Sequence, residues 1–329
     1  MARLSYPNPA SLTSEPPAAA PRSTPADMFA GGMSALAAAA AGVTIVLWAS
    51  AFVVIRVVGA QLSPGPMALG RVTVAAIVLT PLVLHRRDGS PLLPRGRMLG
   101  RVVAYGVMWF AGYNVALNAA ERHIDAGTAA LVVNIAPLLI AIGAAAFLRE
   151  AFPRPLLVGC IVAFAGIALM SAGTGDSSSH NAASGLALGV LAAVLYAGAV
   201  LIQKVILRDL DGLRVTWLGA VVGVIALLPF APQLAGELPT VSGRTVLGLV
   251  YLGVFPTAVA FTTWAYALRR VPAGRLGPIG YLVTVVSTAM SWLVLSEVPT
   301  TPVLIGGAVC LAGVAISRSR GGPRPRRRR

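Results

Sequence analysis

Apolar and polar positions alternate along this chain in long blocks rather than short periods. Ten apolar segments are separated by short polar breaks: 36–58, 67–84, 100–119, 126–148, 155–173, 184–206, 213–231, 245–267, 274–295 and 301–317. Most approach the ~20 residues that an α-helix needs to cross ~30 Å of hydrocarbon. A lipid-exposed backbone has to satisfy its own hydrogen bonds, so such segments must be helices. The pattern predicts an all-α integral membrane protein with ten transmembrane helices. Residues 1–32, rich in Pro, Ala and Ser, read as a disordered tail, and 318–329 form a second, basic tail. The first tail lacks the basic segment directly before an apolar core that a cleaved signal peptide requires.

Composition agrees. The chain is 57% apolar and 11% charged, against about a quarter charged in a soluble domain. Charge then gives the spans a direction. With the N-terminus in the cytoplasm, the 26 Lys and Arg residues divide into 22 inside, 2 outside and 2 within spans. Inside lie Arg3, Arg22, Arg86, Arg87, Arg95, Arg97, Arg101, Arg149, Arg154, Lys204, Arg208, Arg214, Arg269, Arg270, Arg275 and the seven arginines of the last tail. Outside lie Arg122 and Arg244, and within spans Arg56 and Arg71. The expectation is a multi-pass protein of the cytoplasmic (inner) membrane with both termini in the cytoplasm. The net charge of +15 reads as topology anchoring and contact with anionic lipid at the cytoplasmic face, not as nucleic-acid binding. Cys160 and Cys310 lie inside apolar runs and read as small packing residues. With no CxxC, HExxH or Cys/His cluster, no metal and no cofactor is expected.

The chain also repeats. At an offset of 147 residues Glu150 falls on Glu297, Pro155 on Pro302, Gly159 on Gly306 and Gly166 on Gly313. Arg122 meets Arg269, and Ala126-Gly127 meets Ala273-Gly274. With a slip of one residue, Trp48-Ala49-Ser50-Ala51 through Arg56 meets Tyr196-Ala197-Gly198-Ala199 through Lys204. Each copy therefore holds five spans, at 36–173 and 184–317. Five is odd, so the second copy enters the membrane inverted. Inverted repeats characterise secondary transporters, whose substrate site lies near the midplane between the halves.

These residues resemble a known family. Leu47-Trp48-Ala49-Ser50-Ala51-Phe52 with Arg56 resembles the opening of EamA-type members of the drug/metabolite transporter (DMT) superfamily. So does Ala126-Gly127, leading through Asn134-Ile135-Ala136-Pro137 to Leu148-Arg149-Glu150, Gly159 and Ala165-Gly166. The second copy carries Ala273-Gly274, Tyr281-Leu282, Leu295-Ser296-Glu297, Gly306 and Ala312-Gly313. The resemblance implies two inverted five-helix EamA repeats, a central substrate cavity and alternating access, with export the common direction. One position departs. The family's second copy usually carries a proline after Tyr-Leu-x, where this chain has Thr284, whereas Pro137 is present in the first copy. The two halves are therefore expected to bend unequally.

A charge at the bilayer centre costs about 2.5–3.5 kcal/mol on insertion scales. Arg71 and Arg56 either snorkel to the outer interface or point inward to attract a carboxylate-bearing substrate. The eleven acidic residues and three histidines fall outside helix centres. That disfavours the simplest buried proton relay and leaves exchange, facilitated diffusion, or coupling through Glu150, Glu297 or Glu121/His123/Asp125. For Glu150 and Glu297 the favoured role is capping the next helix. Asn114 and Asn118 share one helix face, and Asn134, Trp48, Trp264 and Tyr281 lie within other spans. An amide in hydrocarbon needs a partner, in a neighbouring helix or in a substrate. Gly219 and Gly223 form a GxxxG, either an intramolecular contact or a homodimer face. The expected function is secondary transport of small organic metabolites, amino acids or drugs. Arg56 and Arg71 would attract the solute, and Trp48, Asn114, Asn118, Asn134, Trp264 and Tyr281 would line its site. Rival readings are a membrane-embedded enzyme, with only Glu121/His123/Asp125 to offer, and a non-transporting scaffold.

Overall fold

The computed structural model describes residues 35–86, 92–136, 138–140, 179–270, 273–296 and 300–318, with isolated positions between 155 and 169. Secondary structure among them is entirely helical. In chain order it comprises α1 (Ala35–Gly59), α2 (Pro64–His85), α3 (Arg97–Tyr105), the π-helix π1 (Gly106–Tyr113), α4 (Asn114–Ala120) and α5 (Ala126–Val133). There follow α6 (Ser179–Ile206), α7 (Gly212–Leu227), α8 (Ala231–Glu237), α9 (Gly243–Leu252), the π-helix π2 (Gly253–Val259), α10 (Ala260–Arg270), α11 (Ala273–Leu295) and α12 (Thr301–Arg318). The fifth predicted span, Pro137, Glu150 and Glu297 lie wholly or largely outside the described residues.

Among the described residues five stretches are long and apolar enough to cross a membrane: Ala35–Gly59, Pro64–His85, Ala182–Ile206, Gly212–Thr240 and Gly243–Arg270. The seventh predicted span, ending at 231, is too short. Helix continues through α8 to Thr240, with single 3₁₀ turns at Leu228–Phe230 and Leu238–Thr240 where Pro229 and Pro239 remove backbone donors. Helix starts are set by local chemistry. Asp125 and Asp211 accept the amides of Thr128 (2.8 Å) and Arg214 (3.1 Å), and Ser242 accepts that of Thr245 (3.3 Å). Prolines stand at the start of α2, where their missing N–H costs nothing.

The two halves interlock by exchanging partners. α1 of the first half packs on α9, α10 and α11 of the second, and α6 of the second packs on α3, π1, α4 and α5 of the first. α2 and α7 pack along each other at the seam. Symmetry reaches single atoms. The π-helices begin at Gly106 and Gly253, which differ by the same 147 residues. A Cβ on Gly106 would meet Val222 at 2.6 Å and the Gly219 carbonyl at 2.9 Å. On Gly253 it would meet Val74 at 2.5 Å and the Arg71 carbonyl at 2.7 Å. Those partners are themselves one repeat apart. Gly219 and Gly223 face Tyr105 and Phe110, so this GxxxG is an intramolecular contact.

The expected difference in bending is present. α5 stops at Val133 and a turn follows at Asn134–Ile135, whereas α11 runs unbroken from Ala273 to Leu295. Thr284, standing where the partner repeat has Pro137, accepts a hydrogen bond from the Asn134 amide across the two helices and lies 3.4 Å from the Ala130 carbonyl.

Candidate functional site

Aromatic side chains from both halves converge where the repeats meet. Trp48 is the fourteenth of 25 residues in α1, near its middle. Its ring lies 5.2 Å from Trp264 on α10, 5.6 Å from Phe261, 6.3 Å from Tyr196 on α6 and 6.4 Å from Trp109 on π1. Trp109 lies 5.2 Å from Tyr196 and 4.8 Å from Phe261, and Tyr113 lies 6.0 Å from Tyr196. Trp109 and Tyr113, four apart, are brought to one side by the wide π turn. The amide of Asn114 secures that turn by donating to the carbonyls of Trp109 (2.9 Å) and Phe110 (3.1 Å).

Two apolar cores flank the cluster, and Trp48, Tyr113 and Tyr196 pack against both. These three are only partly buried. Each of them bridges the two cores. Among the described residues the indole N–H groups of Trp48 and Trp264 find no acceptor, and Gln203 Oε1 finds no donor while its Nε2 donates to Tyr105 Oη at 3.2 Å. An unpaired donor in an apolar interior costs free energy unless something else accepts from it.

Arg71 supplies the charge. The sequence suggested a residue four or five positions into its span. α2 starts earlier, at Pro64, so Arg71 is its eighth residue, about 10 Å from the helix end at 1.5 Å per residue. It does not snorkel, because it is 4% exposed. Its Nε and Nη2 donate to Thr257 Oγ1 on π2 at 3.2 and 3.1 Å. Among the described residues no carboxylate pairs with it. Tyr113 and Glu121 lie within electrostatic reach of the guanidinium.

The profile of the EamA-like transporter family matches residues 34–172 and again 183–319. The chain belongs to this family. A "Probable terminal-alkyne amino-acid exporter" of Streptantibioticus cattleyicolor is 33% identical over 282 residues, 84% of this chain and 91% of the relative. "Uncharacterized transporter YdfC" of Bacillus subtilis is 29% identical over 271 residues, 82% of this chain and 87% of the relative. A solved crystal structure shares the fold with a TM-score of 0.61 and 21% identity, covering 86% of this chain and 96% of its own. This EamA protein is therefore a multi-pass membrane transporter built from two EamA repeats, with a small molecule as substrate.

The other predicted residues take varied places. Arg56 donates to the carbonyl of Glu121, tying α1 to the end of α4. Asn118 donates to the Pro64 carbonyl (3.1 Å), leaving its own oxygen unbonded, and Asn134 secures the break after α5. Tyr281 has no described side chain. Glu121, expected on a short loop, is 2% exposed. Thr257 was missed altogether. The matched glycines 106 and 253 at the repeat offset were the available signal for the π-helices that place Thr257 and Trp109.

Proposed function

We propose that this EamA protein exports small amphipathic solutes bearing a carboxylate, of the amino-acid class, across the cytoplasmic membrane by alternating access. Both termini then lie in the cytoplasm, and ten spans are grouped as 36–173 and 184–317. The observation that carries the reading is Arg71: a buried guanidinium with Thr257 as its hydrogen-bond partner, in a protein whose two repeats also bring a cluster of aromatic side chains together. A charge held in such a place is costly unless it is used. A carboxylate satisfies it with charge-assisted hydrogen bonds. The faces of Trp48, Trp109, Tyr196 and Trp264 suit an ammonium group or an apolar side chain. Asn118, Asn134, Arg56 and Tyr281 frame the pathway. The name of the Streptantibioticus relative, an amino-acid exporter, supports the same class. Rocking of one half against the other would open the space between the cores to each side in turn.

Counterflow in proteoliposomes tests this. Vesicles loaded with an unlabelled amino acid should accumulate the labelled one, across a panel that includes L-propargylglycine and L-phenylalanine. Arg71→Ala should insert normally and lower the rate at least ten-fold. Unchanged counterflow in Arg71→Ala refutes the role of Arg71, and no counterflow of any panel member refutes the solute class.

A further inference from the structure

We infer that Thr257 is a positioning residue that turns Arg71 to receive the solute's carboxylate, a device that the equivalent place in the other repeat does not carry. The inference rests on the carboxylate reading above and deepens it.

In an α-helix the carbonyl of Leu252 would bond the amide four residues on, which is Pro256 and has no N–H. That carbonyl instead takes the hydroxyl proton of Thr257, at 2.7 Å. The proton being committed, Thr257 Oγ1 can only accept, and it accepts from Nε and Nη2 of Arg71. One edge of the planar guanidinium is thereby held. Nη1 has no partner among the described residues. The edge formed by Nη1 and the second N–H of Nη2 is the one that fits a carboxylate in two parallel hydrogen bonds.

The inverted copy lacks every part of this device. At the 147-residue offset Pro256 corresponds to Trp109 and Thr257 to Phe110. Through the matched contacts of Gly106 and Gly253, Arg71 corresponds to Gly219. A Cβ on Gly219 would lie 2.6 Å from the Phe110 ring, so that ring occupies the room a side chain would need. One half of the interface is thus cationic and hydrogen-bonding, and the other aromatic. A solute's carboxylate would therefore meet a held cation on one side of the interface only.

The test compares an acid with its own amide. Binding of L-propargylglycine and L-phenylalanine, and of the primary amide of each, is measured by thermophoresis on the purified protein in nanodiscs. The wild type should bind an acid at least ten-fold more tightly than its amide. Thr257→Ser keeps the hydroxyl and should keep that ratio. Thr257→Val should reduce it about ten-fold with amide affinity unchanged, and Arg71→Gln should bring it to about one. Thr257→Ala serves if the valine variant does not fold. A wild-type ratio in Thr257→Val or Thr257→Ala overturns the positioning role, as does equal loss of acid and amide binding. A ratio near one in the wild type, or no binding of either acid, overturns the carboxylate assignment. Counterflow of any other solute would then leave transport itself standing.

Discussion

The repeat symmetry makes a quantitative prediction at two glycines that sequence comparison alone would treat as incidental. Gly253→Ala places a methyl group 2.5 Å from Val74 Cβ and 2.7 Å from the Arg71 carbonyl. Gly106→Ala places one 2.6 Å from Val222 Cβ and 2.9 Å from the Gly219 carbonyl. Ordinary contact starts at 3.4 Å, so each methyl demands a displacement of 0.5 to 0.9 Å. The valine can change rotamer, but its Cβ and the carbonyl belong to rigid helices and cannot move without separating π1 from α7 or π2 from α2. Overpacking of this kind costs about 1–3 kcal/mol. An internal control is available. Gly100→Ala on α3 meets nothing within 4 Å and should gain a few tenths of a kcal/mol from helix propensity. Thermal unfolding in one detergent, followed by tryptophan fluorescence, should lower the midpoint by several degrees for Gly106→Ala and Gly253→Ala. The two losses should be equal within about 1 kcal/mol, because the contacts are equivalent. Retention of the Gly100→Ala midpoint by either variant would refute the packing. A large loss in one and none in the other would refute the symmetry.

Two further outcomes follow from single contacts. Thr284→Ala removes a buried acceptor of the Asn134 amide and should destabilise by about 1–2 kcal/mol, seen as a lowered unfolding midpoint; an unchanged midpoint would mean that the break after Val133 does not depend on α11. Asp211→Ala removes the cap of α7 and should cost about 1 kcal/mol, whereas Asp211→Asn should recover most of it.

The helical architecture was legible because hydropathy reports lipid exposure directly, and the repeat because Glu, Pro and Gly recur at one offset. The span ends were less legible. Helix continues past Phe230 because prolines there begin short 3₁₀ turns instead of ending the element, and composition does not separate those outcomes. Trp48 and Trp264 were found as aromatic residues inside spans. That they face each other at 5.2 Å depends on α1 packing against the opposite half, which periodicity within one helix cannot report. Arg71 stood out as a charge in an apolar run, but the choice between snorkelling and burial is made by its neighbour on π2. Thr257 gave no signal, since a threonine in a membrane helix ordinarily bonds its own backbone. It does so here too, to Leu252, and only the π register and the missing Pro256 amide make that bond consequential.

Duplication gives the two halves the same scaffold, so positions that remain alike bear chiefly on packing and positions that differ bear on chemistry. Gly106 and Gly253 are alike, and each lies against the backbone of the opposite half. Arg71 and Gly219 differ, as do Thr257 and Phe110, Pro256 and Trp109, and Thr284 and Pro137. Three of these four differences fall within one set of contacts, between the π-helices and the α2–α7 seam. The fourth lies in the pair of helices of which one stops at Val133 and the other runs unbroken to Leu295. A symmetric carrier with identical halves would offer a solute the same surroundings in either orientation. This chain holds a cation on one side of the seam and none at the equivalent place on the other, so under the reading proposed above a carboxylate-bearing solute would be held in one orientation.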